Sequence, residues 1–420
     1  MRGIALIVVG TSILLPLSRA SADTPASSIG WKKTVIDTKF RAEGATFADV
    51  NRDGKTDILT GEVWYEAPNW TPHEIRPSKR DYGNGIAGYS ESFSCWADDV
   101  NGDGYPDLIV ICFPGAPCYW YENPKGKDGH WQAHEIWPSA CNETPIFADL
   151  FGNGKKVLVM GWQPKGKENM GQMAWFTPGK DPTKPWEMHP ISVPSAPGKE
   201  VPGTQKFSHG LGVTDFNGDG RNDVVCTGGW WEQPATDDGK PWKFHPAKLG
   251  DACADMFAYD VDGDGLKDVL SSSAHKYGIW WLKQRSGGEN PSFEKKDLFK
   301  DLLSETHAMH FVDINGDGRP DLVTGKRWWS HGKNEPGSSM PAVIIWFENK
   351  KDKDGMTRFI PHQVDDDSGI GVQFSVGDVN GDGLPDIVTA NKKGVFLLEQ
   401  VRTKPKAKAP DAPGVSQDSK

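Results

Sequence analysis

Apolar residues between positions 31 and 400 fall in short runs, separated by polar turns rich in Asp, Asn and Gly. The runs recur in a fixed order. A first run, such as ATFA at 45–48 or MHFV at 309–312, leads into an acidic turn. A second follows the turn: ILT at 58–60, LIV at 108–110, VVC at 224–226, IVT at 387–389. An aromatic run comes next: WYE at 64–66, YWY at 119–121, WWL at 280–282, IWF at 345–347. A fourth sets an aromatic ahead of a histidine: Trp70 and His73, Trp131 and His134, Trp186 and His189, Trp242 and His245, Phe359 and His362. Short runs of this composition bounded by turn residues predict strands. The repeating unit is therefore strand, acidic turn, strand, strand, strand.

The acidic turn reads D-x-[ND]-x-D-G-x-x-D and starts at Asp49, Asp99, Asp215, Asp260, Asp313 and Asp378. A degraded copy, DLFGNGKKV, starts at Asp149. A four-stranded unit with a period of about 50 residues is one propeller blade. Seven units predict an all-β fold, a seven-bladed β-propeller of four-stranded blades. The last unit stops after its third strand, at 395–400. WKKTVI at 31–36 carries the missing fourth-strand pattern, so the N-terminal strand is expected to close the last blade and remove the open edge. An open array or a two-domain chain is the alternative.

Composition narrows the class. The 420 residues are 37% hydrophobic and 25% charged, and they include 48 Gly, 31 Pro and 18 Trp. This suits an ordered, strand-rich chain with many turns. A formal charge of -10 argues against a nucleic-acid partner. Residues 1–22 read as a cleaved secretory signal, with Arg2, an apolar stretch over 3–17, and Ala20-Ser21-Ala22 as the cleavage site. That stretch is too short to span a bilayer. The expected organisation is a signal at 1–22, a propeller at 23–401 and a disordered Lys-, Pro- and Ala-rich tail at 402–420. The expected product is a secreted or periplasmic monomer without a membrane span. Six cysteines allow three disulfides in an exported chain, with Cys112 and Cys118 placed to staple a hairpin, or six buried thiols. No GxSxG elbow, phosphate loop or dinucleotide fingerprint is present.

Oxygen donors at turn positions 1, 3 and 5, Gly at 6 and a carbonyl at 7 wrap a hard cation such as calcium. The predicted ligands in the first turn are Asp49, Asn51, Asp53, the Lys55 carbonyl and Asp57. In the second they are Asp99, Asn101, Asp103, Tyr105 and Asp107, and in the third good copy Asp215, Asn217, Asp219, Arg221 and Asp223. The others are Asp260, Asp262, Asp264, Leu266 and Asp268; Asp313, Asn315, Asp317, Arg319 and Asp321; and Asp378, Asn380, Asp382, Leu384 and Asp386. About six calcium ions are expected. None is expected in the degraded turn, where Phe151, Asn153 and Val157 replace ligands.

These turns and their following strands resemble FG-GAP or VCBS repeats, the calcium-loop blades of integrin α-subunit heads and of many exported bacterial proteins. The resemblance covers roughly 31–400 and implies the propeller and the calcium. A narrower one concerns the late blades: FSHGLG at 207–212, GGWWEQP at 228–234, ETHAMH at 305–310, GKRWWSH at 325–331, EPG at 335–337 and NKKG at 391–394. Together these are similar to the propeller of the aldos-2-ulose dehydratase family, lyases acting on keto-sugars. That family also carries cupin domains after its propeller, whereas a tail is the expectation here.

The repeat also serves as a ruler. Six residues before each turn stand Glu43, Phe93, Glu143, His209, Ala254, His307 and Val372. Equivalent positions on innermost strands lie at one height around the axis, and four of these seven carry a carboxylate or imidazole. Such a set can hold a single transition metal such as zinc, or supply an acid and a base. Glu143, His209, His307, Lys326 and His331 are the catalytic candidates. Trp230, Trp231, Arg327 and Lys393 are the ligand-binding candidates, the tryptophans as platforms for a sugar face. Recurrent fourth-strand histidines read as packing. The functional expectation is a carbohydrate or extracellular partner bound at the central funnel or top-face loops. The alternatives are a keto- or anhydro-sugar lyase or isomerase, and a structural adhesion module.

Overall fold

The structure is a computed structural model of the chain. It describes residues 28–77, 82, 88–167, 170–288, 291–332 and 334–403. The expected signal at 1–22 lies outside the described residues, as does the expected tail except Arg402 and Thr403, which end the last strand. Trp31–Val401 forms one compact unit. The described ends, 28–30 and 402–403, belong to a second small unit, in which Thr403 Oγ1 donates to the Ser28 carbonyl at 3.2 Å.

Seven antiparallel four-stranded sheets make up the fold, and the described residues contain no helix. Blade 1 is Thr46–Ala48, Asp57–Leu59, Val63–Glu66 and Thr71–Glu74, in spatial order. Blades 2 to 6 repeat this over 94–137, 146–190, 211–246, 257–297 and 309–365. Blade 7 takes Phe374–Gly377, Asp386–Asn391 and Gly394–Thr403, and its fourth strand is the N-terminal Ser28–Asp37. The predicted closure is thus the observed topology.

Second strands are apolar on both faces because each blade is covered by two neighbours. Asp107–Ile111 is buried throughout. The core accordingly lies between blades. Leu59 and Trp64 of blade 1 pack on Leu108 and Tyr121 of blade 2. Val388 and Leu397 of blade 7 pack on Ile58 and Tyr65 of blade 1, which closes the circle. Each such side chain contributes roughly 1.5–3 kcal/mol by leaving water.

Two polar devices recur with the blade. The fourth-strand histidine lies opposite a third-strand tryptophan and stacks on it, as in Trp64–His73 at 4.3 Å, Trp175–His189 at 3.7 Å and Trp230–His245 at 4.1 Å. In four blades its Nε2 also meets a glutamate of the third strand: Glu66, Glu122, Glu232 or Glu348, at 2.8–3.2 Å. The second device is the ninth-position aspartate of the acidic turn. Asp57, Asp107, Asp223, Asp268, Asp321 and Asp386 are fully buried. In each, Oδ2 accepts the N–H of turn position 2 and Oδ1 accepts an N–H of the third strand or of the residue just past it; for Asp321 these come from Ile314 at 3.0 Å and Asn349 at 2.7 Å. Burial pushes Asp57 up to about 6 and Asp107 up to about 7.

The six cysteines are free and buried, so the hairpin staple between Cys112 and Cys118 is not formed. Burial pushes the Cys226 and Cys253 thiols up to about 12, which keeps them inert.

Removing a buried acceptor leaves both its donors unsatisfied. Asp321→Ala should therefore cost at least about 2 kcal/mol in urea unfolding. The loss should persist in chelator; equal midpoints for variant and wild type in chelator would show that the carboxylate acts only through an ion.

Candidate functional site

The residues six before the turns converge as the ruler predicts. Glu43, Glu143, His209 and His307 are all buried, and the two glutamates hold one guanidinium between them. Arg327 enters just past the second strand of blade 6, Asp321–Gly325, and is 2% exposed. Its Nη2 lies 3.1 Å from Glu43 Oε2 and its Nη1 lies 3.3 Å from Glu143 Oε2. The Tyr89 and Phe93 rings sit 5.5 and 5.6 Å from its central carbon, within cation–π range. Burial raises the Glu43 carboxyl above the usual range, against the pull of Arg327.

Beside this cluster lie three imidazoles. His209 Nδ1 donates to the Phe207 carbonyl at 2.8 Å, and His307 Nδ1 donates to the Glu305 carbonyl at 3.3 Å. A carbonyl only accepts, so both rings carry their proton on Nδ1 and present a bare Nε2. Both Nε2 atoms are buried and have no hydrogen-bond partner among the described residues. Glu143 Oε2 lies 3.5 Å from His209 Nε2. Burial holds His209 and His307 below the ordinary histidine range, and the Arg327 charge lowers His307 further. The third ring, His275, sits in the loop after Asp268–Ser272, with Nδ1 2.7 Å from Glu335 Oε1. One nitrogen from each of the three lies within 4.8 Å of the others.

Strained backbone sets this geometry. Phe207 has φ +65° and Glu305 has φ +57°, and each stands two residues before the histidine its carbonyl holds. Trp329, φ +63°, stands two before His331. Non-glycine residues in this region cost about 1–3 kcal/mol and cluster at functional sites.

The other candidates are placed differently. His331 is at the rim, its Nδ1 2.8 Å from the same Glu335 oxygen that His275 meets. Hydrogen bonds from His275 and His331 overcome burial and hold Glu335 down at about 2. Lys326 turns away from the axis into a buried pair with Glu305, and it donates also to Ser304 Oγ at 3.2 Å and the Gly337 carbonyl at 2.7 Å. Its three protons are all used, so it has no proton to offer a substrate. Trp230 and Trp231 are 4% and 2% exposed and packed in blade cores, so neither offers a ring face to a sugar. Lys393 pairs with Asp367 and lies 5.1 Å over the Trp328 ring. Its neighbour Lys392 faces the cluster instead, 4.7 Å over Tyr89 and donating to the Trp329 carbonyl at 3.0 Å.

Sequence reasoning missed His275, Glu335, Tyr89 and Lys392. A second ruler finds part of this set: Phe113, Arg327 and Lys392 each stand six residues after a ninth-position aspartate, and His275 stands seven after one.

The acidic turns share one conformation. The position-6 glycine has φ between +82° and +89° in all seven, and its N–H donates to the first aspartate, as Gly54 does to Asp49 at 3.0 Å. Carboxylate oxygens of Asp260, Asp262 and Asp264 lie within 4.8 Å of one another, which suits a hard cation. Lys283 pairs with Asp262 and lies 3.1 Å from Asp264 in that blade. Position 9 gives both oxygens to backbone N–H groups, so a bond from it to an ion would use a second lone pair.

A closed ring of repeat blades with an acidic turn in each is a β-propeller of the repeat class. The family model of the FG-GAP-like repeat matches residues 215–271 and 260–324, and that of the FG-GAP repeat matches 370–395. The chain thus carries FG-GAP repeats within a seven-bladed β-propeller. Solved structures are similar to it at low identity. One is an Agrocybe aegerita lectin described as recognising non-reducing terminal N-acetylglucosamine, 17% identical, covering 83% of this chain and 85% of that one, with a TM-score of 0.44. Another is the exotype rhamnogalacturonan lyase YesX, at 12% identity, 89% and 74% coverage, and a TM-score of 0.44. A third is a putative glucose dehydrogenase of Thermus thermophilus, at 10% identity, 70% and 93% coverage, and a TM-score of 0.41. No curated protein matches the chain.

Arg327→Met strands two buried carboxylates, and removing one side of a buried ion pair costs about 3–5 kcal/mol. Adding Glu43→Gln and Glu143→Gln should restore much of that loss in urea unfolding. A single variant within about 1 kcal/mol of wild type would contradict the pairing.

Proposed function

We propose that this exported propeller is a metal-dependent enzyme, a carbon–oxygen lyase acting on a keto- or anhydro-sugar, with calcium in its six acidic turns. The observation that carries the reading is the convergence of His209, His275 and His307, two of them with a buried, unpartnered Nε2. A bare imidazole nitrogen desolvated without a partner costs free energy, and a divalent transition metal would offset that cost. The Nδ1 bonds to carbonyl and carboxylate are the outer-shell contacts that orient metal-binding histidines. Three nitrogen ligands leave a position open for substrate, as in catalytic rather than structural zinc sites.

Bound there, the ion would polarise a sugar carbonyl. Glu143, beside His209, would accept the proton from the adjacent carbon, and the hydroxyl on the next carbon would leave with a proton as water. Arg327 would hold Glu143 in place, and His331 at the rim is the candidate donor to the leaving oxygen. The similarity of the late blades to the aldos-2-ulose dehydratase propeller supports the substrate class. A carbohydrate-binding module without turnover is the second reading. It is favoured by Phe207, a large apolar residue 42% exposed beside His209.

Elemental analysis tests the proposal. Wild type should carry about one zinc, iron or manganese besides about six calcium ions. His307→Ala should lose the former, keep the latter, and lose turnover of keto- and anhydro-sugars. Calcium alone in wild type would leave the binding module as the reading.

A further inference from the structure

We propose that the pocket between blades 1 and 2 is a distal sugar subsite, so that the ligand of the central cluster is an oligosaccharide or glycoside. This rests on the carbohydrate reading above. The pocket has a volume of about 910 Å³, within the range of built ligand sites.

Continuity with the central cluster names the occupant. Tyr89 and Phe113 line the pocket, and both belong to an aromatic wall that runs to the histidines. Phe207 meets Phe113 edge-on at 5.4 Å, Phe113 meets Tyr89 at 5.7 Å, and Tyr89 meets His331 edge-on at 6.3 Å. Tyr89 also donates to the Ser330 carbonyl at 2.9 Å, so the wall is fixed rather than loose. From His307 the wall runs 6.1 Å to His331 and on to Tyr89 at the edge of the pocket.

The chemistry of the pocket fits a sugar more than a lipid or an apolar peptide. Tyr119, Tyr121 and Trp131 give it aromatic walls. The Tyr119 and Tyr121 hydroxyls take no hydrogen bond from the described residues, so both are available to ligand hydroxyls. Arg76 and Glu91 stand in the same wall, 3.0 Å apart, with Arg76 Nε anchored on the Gly61 carbonyl at 3.0 Å. Arg76 thus fixes Glu91, whose half-exposed carboxylate is the acceptor the pocket offers to a ligand hydroxyl. Aromatic faces with a few placed polar groups are the usual make-up of such sites.

The probe is an array of defined gluco-, xylo- and galacto-oligosaccharides, from monosaccharides to tetrasaccharides, read with the full chain. Oligosaccharides should bind more tightly than their monosaccharides, and Tyr119→Ala should erase that gain by about tenfold or more. Tyr119→Phe, which keeps the ring, should retain part of it. Metal content and thermal midpoint should be unchanged in both. Failure of every oligosaccharide to bind, no gain with length, or a gain that survives Tyr119→Ala overturns the subsite. Length-dependent binding that needs Tyr119, in a protein without a transition metal, would uphold the subsite and remove the enzymatic reading.

Discussion

Closure of the ring is the constraint on which the site depends. Each blade presents its first strand to one axis, so a residue at a given offset from the acidic turn meets its equivalents from the other blades. An isolated blade would leave Glu43, Glu143, His209 and His307 in water. The closed ring buries all four, and Arg327 pairs with the two glutamates. Charges desolvated in this way persist only when they are paired. The paired guanidinium supplies that condition for the glutamates, whereas the bare Nε2 atoms of His209 and His307 have no such partner among the described residues.

The backbone carries the cost of that arrangement. Phe207 and Glu305 adopt left-handed conformations that only glycine takes without strain, and their carbonyls thereby reach the Nδ1 atoms. What holds them there is the surrounding packing, since each blade interface buries aromatic and aliphatic side chains from both neighbours. The acidic turns contribute at the opposite ends of the strands. Their ninth-position aspartates tie each turn to the third strand of its own blade.

The fold was legible almost in full, because the acidic turn repeats and each unit carries the same four strands. So was the offset that brings Glu43, Glu143, His209 and His307 together. The rest was hidden for identifiable reasons. His275 and Glu335 sit on loops whose lengths differ between blades, where a repeat ruler drifts. Lys326 and Arg327 are adjacent, and neighbouring residues of an extended chain face opposite ways. Only Arg327 therefore reaches the axis, and Lys326 meets Glu305. Trp230 and Trp231 looked like platforms because they are paired, but each ring is taken by packing, Trp230 against His245 and Trp231 against Phe244. Lys392 rather than Lys393 faces Tyr89 by the same alternation.

The most direct test of the account is the X-ray absorption spectrum of purified protein at the edge of whichever transition metal it contains. The account predicts a first shell dominated by imidazole nitrogens, about three of them at about 2.0–2.1 Å if the metal is zinc, with the outer scattering of histidine rings. A shell of oxygen atoms alone, or a protein with no such metal, would contradict a centre built from His209, His275 and His307.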